Sequence, residues 1–164
     1  NVPKYLFLFS RNVSSLINFG MTFVVFLIFC VIDGVAITPL FLTLLYPILC
    51  LMIFNVGMGM ILSAMFVFFR DVQYLWSVFL TLLMYLSAIF YNPSQFGSYE
   101  KLFLLNPIYT YIKFFRLVTI GINGEMPSLP SVQYLLLMLF YALAAFGIGS
   151  LIYKKMNHKF LYYV

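Results

Sequence analysis

The sequence predicts an all-α integral membrane protein with four transmembrane helices and a structured helical hairpin between the third and fourth. Three observations carry this. Of 164 residues, 65% are hydrophobic and only 8% charged, whereas soluble domains are about 25% charged. The mean hydropathy is +1.07. Nine basic and four acidic residues cannot cover the surface of a folded chain this size, so much of that surface faces lipid. The uncharged runs, finally, have the length of spanning helices and lack the strict alternation of barrel strands, which cross in about 10 residues. An aromatic content of 21% excludes intrinsic disorder. The net charge of +5 is scattered singly between apolar runs and forms no stripe for nucleic acid.

The elements follow in order. Residues 1–14 mix Pro3, Lys4 and Arg11 with Tyr5, Leu6, Phe7, Leu8 and Phe9, the pattern of an amphipathic helix on the cytoplasmic surface. Ser15 to Ile32 is an 18-residue uncharged run between Arg11 and Asp33, placing span one at 15–33. Leu40 to Phe69 gives 30 uncharged residues with Pro39 at the start and Pro47 within, so span two, 40–69, is expected to be long, tilted or kinked. Arg70 and Asp71 form a turn, and Leu75 to Tyr91 makes a third span of 17 residues ending at Asn92 and Pro93. Val132 to Tyr153, 22 residues long, is the fourth, stopped by Lys154, Lys155 and Lys159 ahead of a cytoplasmic tail, 154–164.

The 40-residue connector 92–131 is too long for a hairpin loop and too apolar for an unstructured one. Asn106 before Pro107 predicts a helix start, an N-cap side chain with proline at the first helical position. The helix over Ile108–Ile120 spans only about 20 Å and carries Lys113 and Arg116, so an interfacial or re-entrant placement is expected. Gly121, Gly124, Pro127 and Pro130 end it, and Tyr99–Leu105 is the candidate descending arm. Four crossings put both termini on one side with Lys4, Arg11, Arg70, Lys154, Lys155 and Lys159, against Lys101, Lys113 and Arg116 on the other; the positive-inside rule makes that side cytoplasmic.

Cys30 and Cys50 lie in apolar runs, and a single histidine cannot complete a zinc set. No phosphate-loop motif and no paired carboxylates at catalytic spacing occur, so the chain is expected to be no enzyme and to bind no cofactor of its own. Starting at Asn1 without a charged leader, it reads as a piece of a longer chain. Asn12-Val13-Ser14 fits a glycosylation sequon but falls on the predicted cytoplasmic side.

Phe69-Arg70-Asp71-Val72 after a long span, then Tyr85-Leu-Ser-Ala-Ile-Phe-Tyr91, then Leu105-Asn-Pro-Ile-Tyr-Thr-Tyr-Ile-Lys-Phe-Phe-Arg116 resemble, in order and spacing, the ABC-2 type permeases that export polysaccharide, O-antigen or teichoic acid. The opening Val2-Pro3-Lys4-Tyr5-Leu6-Phe7 and Ser10-Arg11 are similar to the segment before the third span of that family. The resemblance covers essentially the whole chain and implies spans three to six of a six-span subunit. It also implies a bacterial cytoplasmic membrane, a homodimer, and a separate ATPase subunit that holds ATP and Mg. One departure is Ala88, where the family's Ser-Pro-Ile-Phe-Tyr-Pro pattern has its first proline; Asn92 also precedes Pro93 where the second would fall. Without a proline at 88 the kink of that helix is not expected from the residue itself.

Each motif has an ordinary reading beside the functional one. Arg70 and Asp71 stop two helices; by the resemblance they also face the ATPase subunit, together with Lys4, Tyr5 and Arg11, and couple its motion to the spans. Tyr85, Phe90, Tyr91, Tyr99, Tyr109 and Tyr111 suit an aromatic belt; Tyr85, Phe90, Tyr91, Tyr109 and Tyr111 are equally candidates to line a polymer path, a tyrosine offering a flat face and a hydroxyl to a sugar. Lys113 and Arg116 suit snorkelling to headgroups or contact with a phosphate. Gly59 with Ser63, and Ala145 with Gly149, have the spacing of close helix packing; Asn55 and Gly57 mark packing or a path-facing side. The expected function is the permease subunit of an ATP-driven exporter of a lipid-linked glycan, with a permease for a drug or small lipid, or a non-transporting scaffold, as alternatives.

Overall fold

The computed structural model describes residues 5–35, 38–69, 71–91, 93, 97, 100–121 and 126–157. Every regular element among them is helical: α1 Tyr5–Ile32, a 3-10 turn Pro39–Leu44, α2 Leu45–Phe68, α3 Val72–Leu86, α4 Glu100–Phe103, α5 Pro107–Thr119 and α6 Val132–Asn157. Three stretches are long and apolar enough to cross a membrane, Ser10–Ile32, Pro39–Phe66 and Val132–Lys155, while the apolar helix Val72–Leu86 is shorter. Its 15 residues reach about 22 Å, less than the ~30 Å hydrocarbon thickness.

Element boundaries differ from the sequence reading where no residue announces them. The surface helix and span one, expected to be separate, form one continuous 28-residue helix, because nothing between Ser14 and Ser15 breaks the backbone ladder. Pro47 produces no mid-helix kink. The 3-10 turn absorbs Pro39, and α2 begins at Leu45, so Pro47 sits in the first turn, where a missing N–H removes no intrahelical bond. The third span was expected to end at Tyr91, but the helix stops at Leu86. Ala88 adopts φ +50°, a left-handed conformation that L-residues rarely take and that proline's fixed φ near −65° cannot.

The principal pairing is α2 with α6. Their backbones meet at Gly57 and Gly149: a β-carbon added at Gly57 would lie 2.5 Å from the Phe146 amide nitrogen and 2.6 Å from the Ala145 carbonyl oxygen. Ala145 and Gly149 thus play the packing part their spacing suggests, and Gly57 is their partner on α2. Asn55 is exposed.

The core runs through Leu44, Cys50, Tyr111, Phe114, Val118, Met138 and Ala142. Three of these belong to α5, so the connector helix is a central piece of the bundle. The sequence explains its limits: the Asn106 side chain accepts from the Ile108 amide at 3.0 Å, Pro107 occupies the first position, and Gly121 leaves the helix at φ +79°. Its partners also fix its level. Tyr141, nine residues into α6, donates to the Leu104 carbonyl at 2.9 Å; Tyr111 donates to the Met138 carbonyl at 3.3 Å; the Ser128 amide returns to the Leu117 carbonyl at 3.2 Å. The start of α5 therefore lies about 14 Å along α6 from Val132, and its end lies nearer the start of α6.

Candidate functional site

A helix that ends within a hydrocarbon layer exposes carbonyls that water cannot reach, and each orphan costs several kcal/mol. At the end of α3 the Leu83 and Tyr85 carbonyls accept from side chains as well as from backbone amides, and just beyond it the Ile89 carbonyl accepts from a side chain. Leu83 oxygen accepts from the Ser87 amide at 2.9 Å and from Ser87 Oγ at 2.6 Å. Tyr85 oxygen accepts from the Ala88 amide at 3.3 Å and from the Tyr91 hydroxyl at 3.0 Å. Ile89 oxygen accepts from Arg116 Nη2 at 2.7 Å. Asn106 ties the two helices together, donating from Nδ2 to Ser87 Oγ at 3.0 Å while its oxygen caps α5. Ser87 and Ala88 are fully buried. Of these groups, Asn106 is legible in advance as an N-cap; its partner Ser87 and the left-handed Ala88 are not, and the only signal for them is the alanine standing where the resembling family has proline.

Two apolar grooves flank this junction. One, of about 400 Å³, lies between α1, α2 and α5 and is lined by Phe19, Leu51, Ile89, Ile112 and Phe115 with Arg116. The other, of about 600 Å³, lies between α3 and the chain before α5, with Phe79, Leu83 and Leu86 facing Phe103, Leu105 and Asn106.

The expected path residues divide into two sets. Tyr85 and Phe90 are exposed with ring centroids 6.4 Å apart, and Tyr91 is half-buried with its ring edge-on to Phe103 at 6.1 Å. Tyr109 and Tyr111, only 2% and 6% exposed, are packed inside the bundle, Tyr109 against Phe103 at 5.6 Å and Tyr111 against Phe54 at 6.2 Å.

The two cations of α5 also part company. Lys113 Nζ lies 3.4 Å from the Tyr134 hydroxyl and 5.2 and 6.0 Å from the ring centroids of Tyr134 and Tyr109, a cation–π setting. Arg116 turns instead to Ile89 and the 400 Å³ groove.

Of the expected coupling residues, Lys4 and Arg70 lie outside the described residues. Tyr5 opens α1, Arg11 is exposed on the same helix, and Asp71 is exposed just before α3. The Asp71 carbonyl accepts from the Tyr74 amide at 3.1 Å, and the Val72 amide donates to Phe69 oxygen at 3.2 Å, closing a tight turn between α2 and α3. Cys30 and Cys50 are buried free thiols, and no cluster of metal-ligating side chains occurs among the described residues. Compared with family models, curated proteins and solved structures, the chain matches none.

Proposed function

We propose that this chain is the permease subunit of an ATP-binding cassette exporter that moves a lipid-linked polysaccharide across a bacterial cytoplasmic membrane. The observation that carries the reading is a short apolar helix, α3, ending against a helix that starts deep along α6. In this reading α3 is the third of four crossings, α4 and α5 are the arms of a re-entrant hairpin, and hairpin and α3 together fill the membrane thickness that α3 alone does not. The collinear resemblance to the ABC-2 polysaccharide permeases supports the same assignment. Both termini are then cytoplasmic.

A single bundle of this size encloses no polymer path, so two copies face each other. Tyr85, Phe90 and Tyr91, at the broken end of α3, are the side chains available to such a path. Tyr109 and Tyr111 support it from behind. Lys4, Tyr5, Arg11, Arg70 and Asp71 contact a separate ATPase subunit, which carries ATP and Mg, and pass its motion to α1 and α3.

Affinity purification from cells that contain the whole system tests the proposal. A stoichiometric ATPase subunit is expected to copurify, and deletion of the gene is expected to leave lipid-linked glycan on the cytoplasmic face. Arg70→Glu should preserve membrane insertion and uncouple ATP hydrolysis from export. Absence of the ATPase partner together with unchanged glycan distribution would refute the reading.

A further inference from the structure

The 400 Å³ groove between α1, α2 and α5 lies alongside a helix long and apolar enough to cross a membrane. Phe115 packs on Phe26 and Phe23 at ring distances of 5.3 and 6.1 Å, and these stand six and nine residues before Ile32, about 9 and 14 Å along α1. With Ser10–Ile32 as a membrane span, the part of the groove beside α1 runs along the hydrocarbon chains. Its volume falls within the range of about 300–1,000 Å³ typical of small-molecule sites. Beside this apolar lining stands Arg116, close to the end of α5 that approaches the start of α6. A guanidinium has five N–H donors, and the acceptor the structure gives it is the neutral Ile89 carbonyl at 2.7 Å. Lys113, three residues earlier, is turned to Tyr134 instead, so among the described residues Arg116 is the charged group lining the groove.

We propose that this groove holds one apolar chain of an anionic phospholipid whose phosphate sits on the Arg116 guanidinium. An apolar slot beside a fork-shaped cation matches a lipid phosphate in both parts: the chain fills the slot, and two phosphate oxygens accept the donors that Ile89 leaves over. A second copy offers the arginine only its four carboxylates, Asp33, Asp71, Glu100 and Glu125, all outside the membrane-crossing stretches. The proposal requires only that the bundle is membrane-embedded and holds whether or not the chain exports a polymer; its failure would leave the transport reading standing.

The test places the full chain in nanodiscs of phosphatidylcholine doped with phosphatidylglycerol carrying a photoactivatable diazirine in one acyl chain, with labelled residues located by mass spectrometry. Labelling is expected at Phe19, Leu51 and Ile112 above that at Val78 and Leu82 of α3, which report annular lipid. Arg116→Gln should lower groove labelling about tenfold, the value of one charge-assisted contact. Leu51→Trp should block it sterically with the guanidinium untouched, and unchanged labelling of Val78 and Leu82 shows that each variant remains embedded. If Arg116→Gln does not assemble, Leu51→Trp decides alone. Equal labelling by a diazirine diacylglycerol, or even labelling across groove and α3, would overturn the proposal in favour of annular lipid only. Groove residues shielded from every lipid probe would overturn it in favour of a protein segment.

Discussion

Replacing Gly57 by alanine sets two known terms against each other. In an isolated helix the change favours folding by about 1 kcal/mol. Here the new β-carbon would lie 2.5 Å from the Phe146 amide nitrogen and 2.6 Å from the Ala145 carbonyl oxygen, about 1 Å inside ordinary contact. Both atoms belong to helix backbone and cannot rotate away, so α2 and α6 must separate by roughly that amount. A gap of 0.5–1 Å forfeits about a quarter to a half of each dispersion contact, and overpacking typically costs about 1–3 kcal/mol. The expected net result is destabilisation by about 1–2 kcal/mol. Gly147, also on α6, has nothing within 4 Å of its would-be β-carbon, so Gly147→Ala should stabilise by up to about 1 kcal/mol. Titration with SDS in mixed micelles, followed by aromatic fluorescence, measures both midpoints. If Gly57→Ala unfolds no earlier than Gly147→Ala, the backbone crossing is not where the packing energy of this pair resides.

The broken end of α3 supports further expectations. Ala88→Pro cannot adopt φ +50° and should cost about 3 kcal/mol or more, whereas Ala88→Gly gains about 1–2 kcal/mol of relieved strain against one lost buried methyl and should be nearly neutral; the same SDS midpoints separate them. Tyr141→Phe leaves the Leu104 carbonyl, which lies in the turn before α5, without that donor, while Tyr46→Phe removes an extra bond from Leu135, whose carbonyl keeps its helical partner within α6. The first should therefore cost about 1–3 kcal/mol and the second about 1 kcal/mol or less, and equal costs would contradict the difference in environment. Asn106→Ala loses both the cap and the Ser87 contact and should cost about 1–2 kcal/mol, with Asn106→Ser recovering the cap share.

How much the sequence disclosed depended on whether a residue could act locally. Asn106, Pro107 and Gly121 govern backbone groups next to themselves, and α5, Pro107–Thr119, lies within a residue of the expected Ile108–Ile120. The end of α3 is set by a neighbour 19 residues away, Asn106 on Ser87, and Ser87–Tyr91 contains nothing that would stop an isolated helix. Spacing showed that small residues on α2 and α6 allow close approach, but Gly57, Gly59 and Ser63 differ only in which way they face, which depends on the rotation of α2. Likewise Tyr109 and Tyr111 have the composition of an interfacial belt and the position of core residues, because α5 lies inside the bundle and not along its surface. The sequence also could not separate Lys113 from Arg116, since their different neighbours, Tyr134 and Ile89, come from different parts of the chain.

The attachment of α3 has a mechanical corollary. Its middle lies largely free of the other helices, and it is fastened at one end by the Phe69–Val72 turn and at the other by the hydrogen bonds of Ser87 and Ile89 to Asn106 and Arg116. Such a rod can swing about its two fixings while the α2–α6 pair stays locked. A tilt imposed at Asp71 would be carried along α3 to the Ser87–Asn106 and Ile89–Arg116 hydrogen bonds, beside the aromatic side chains of Tyr85, Phe90 and Tyr91.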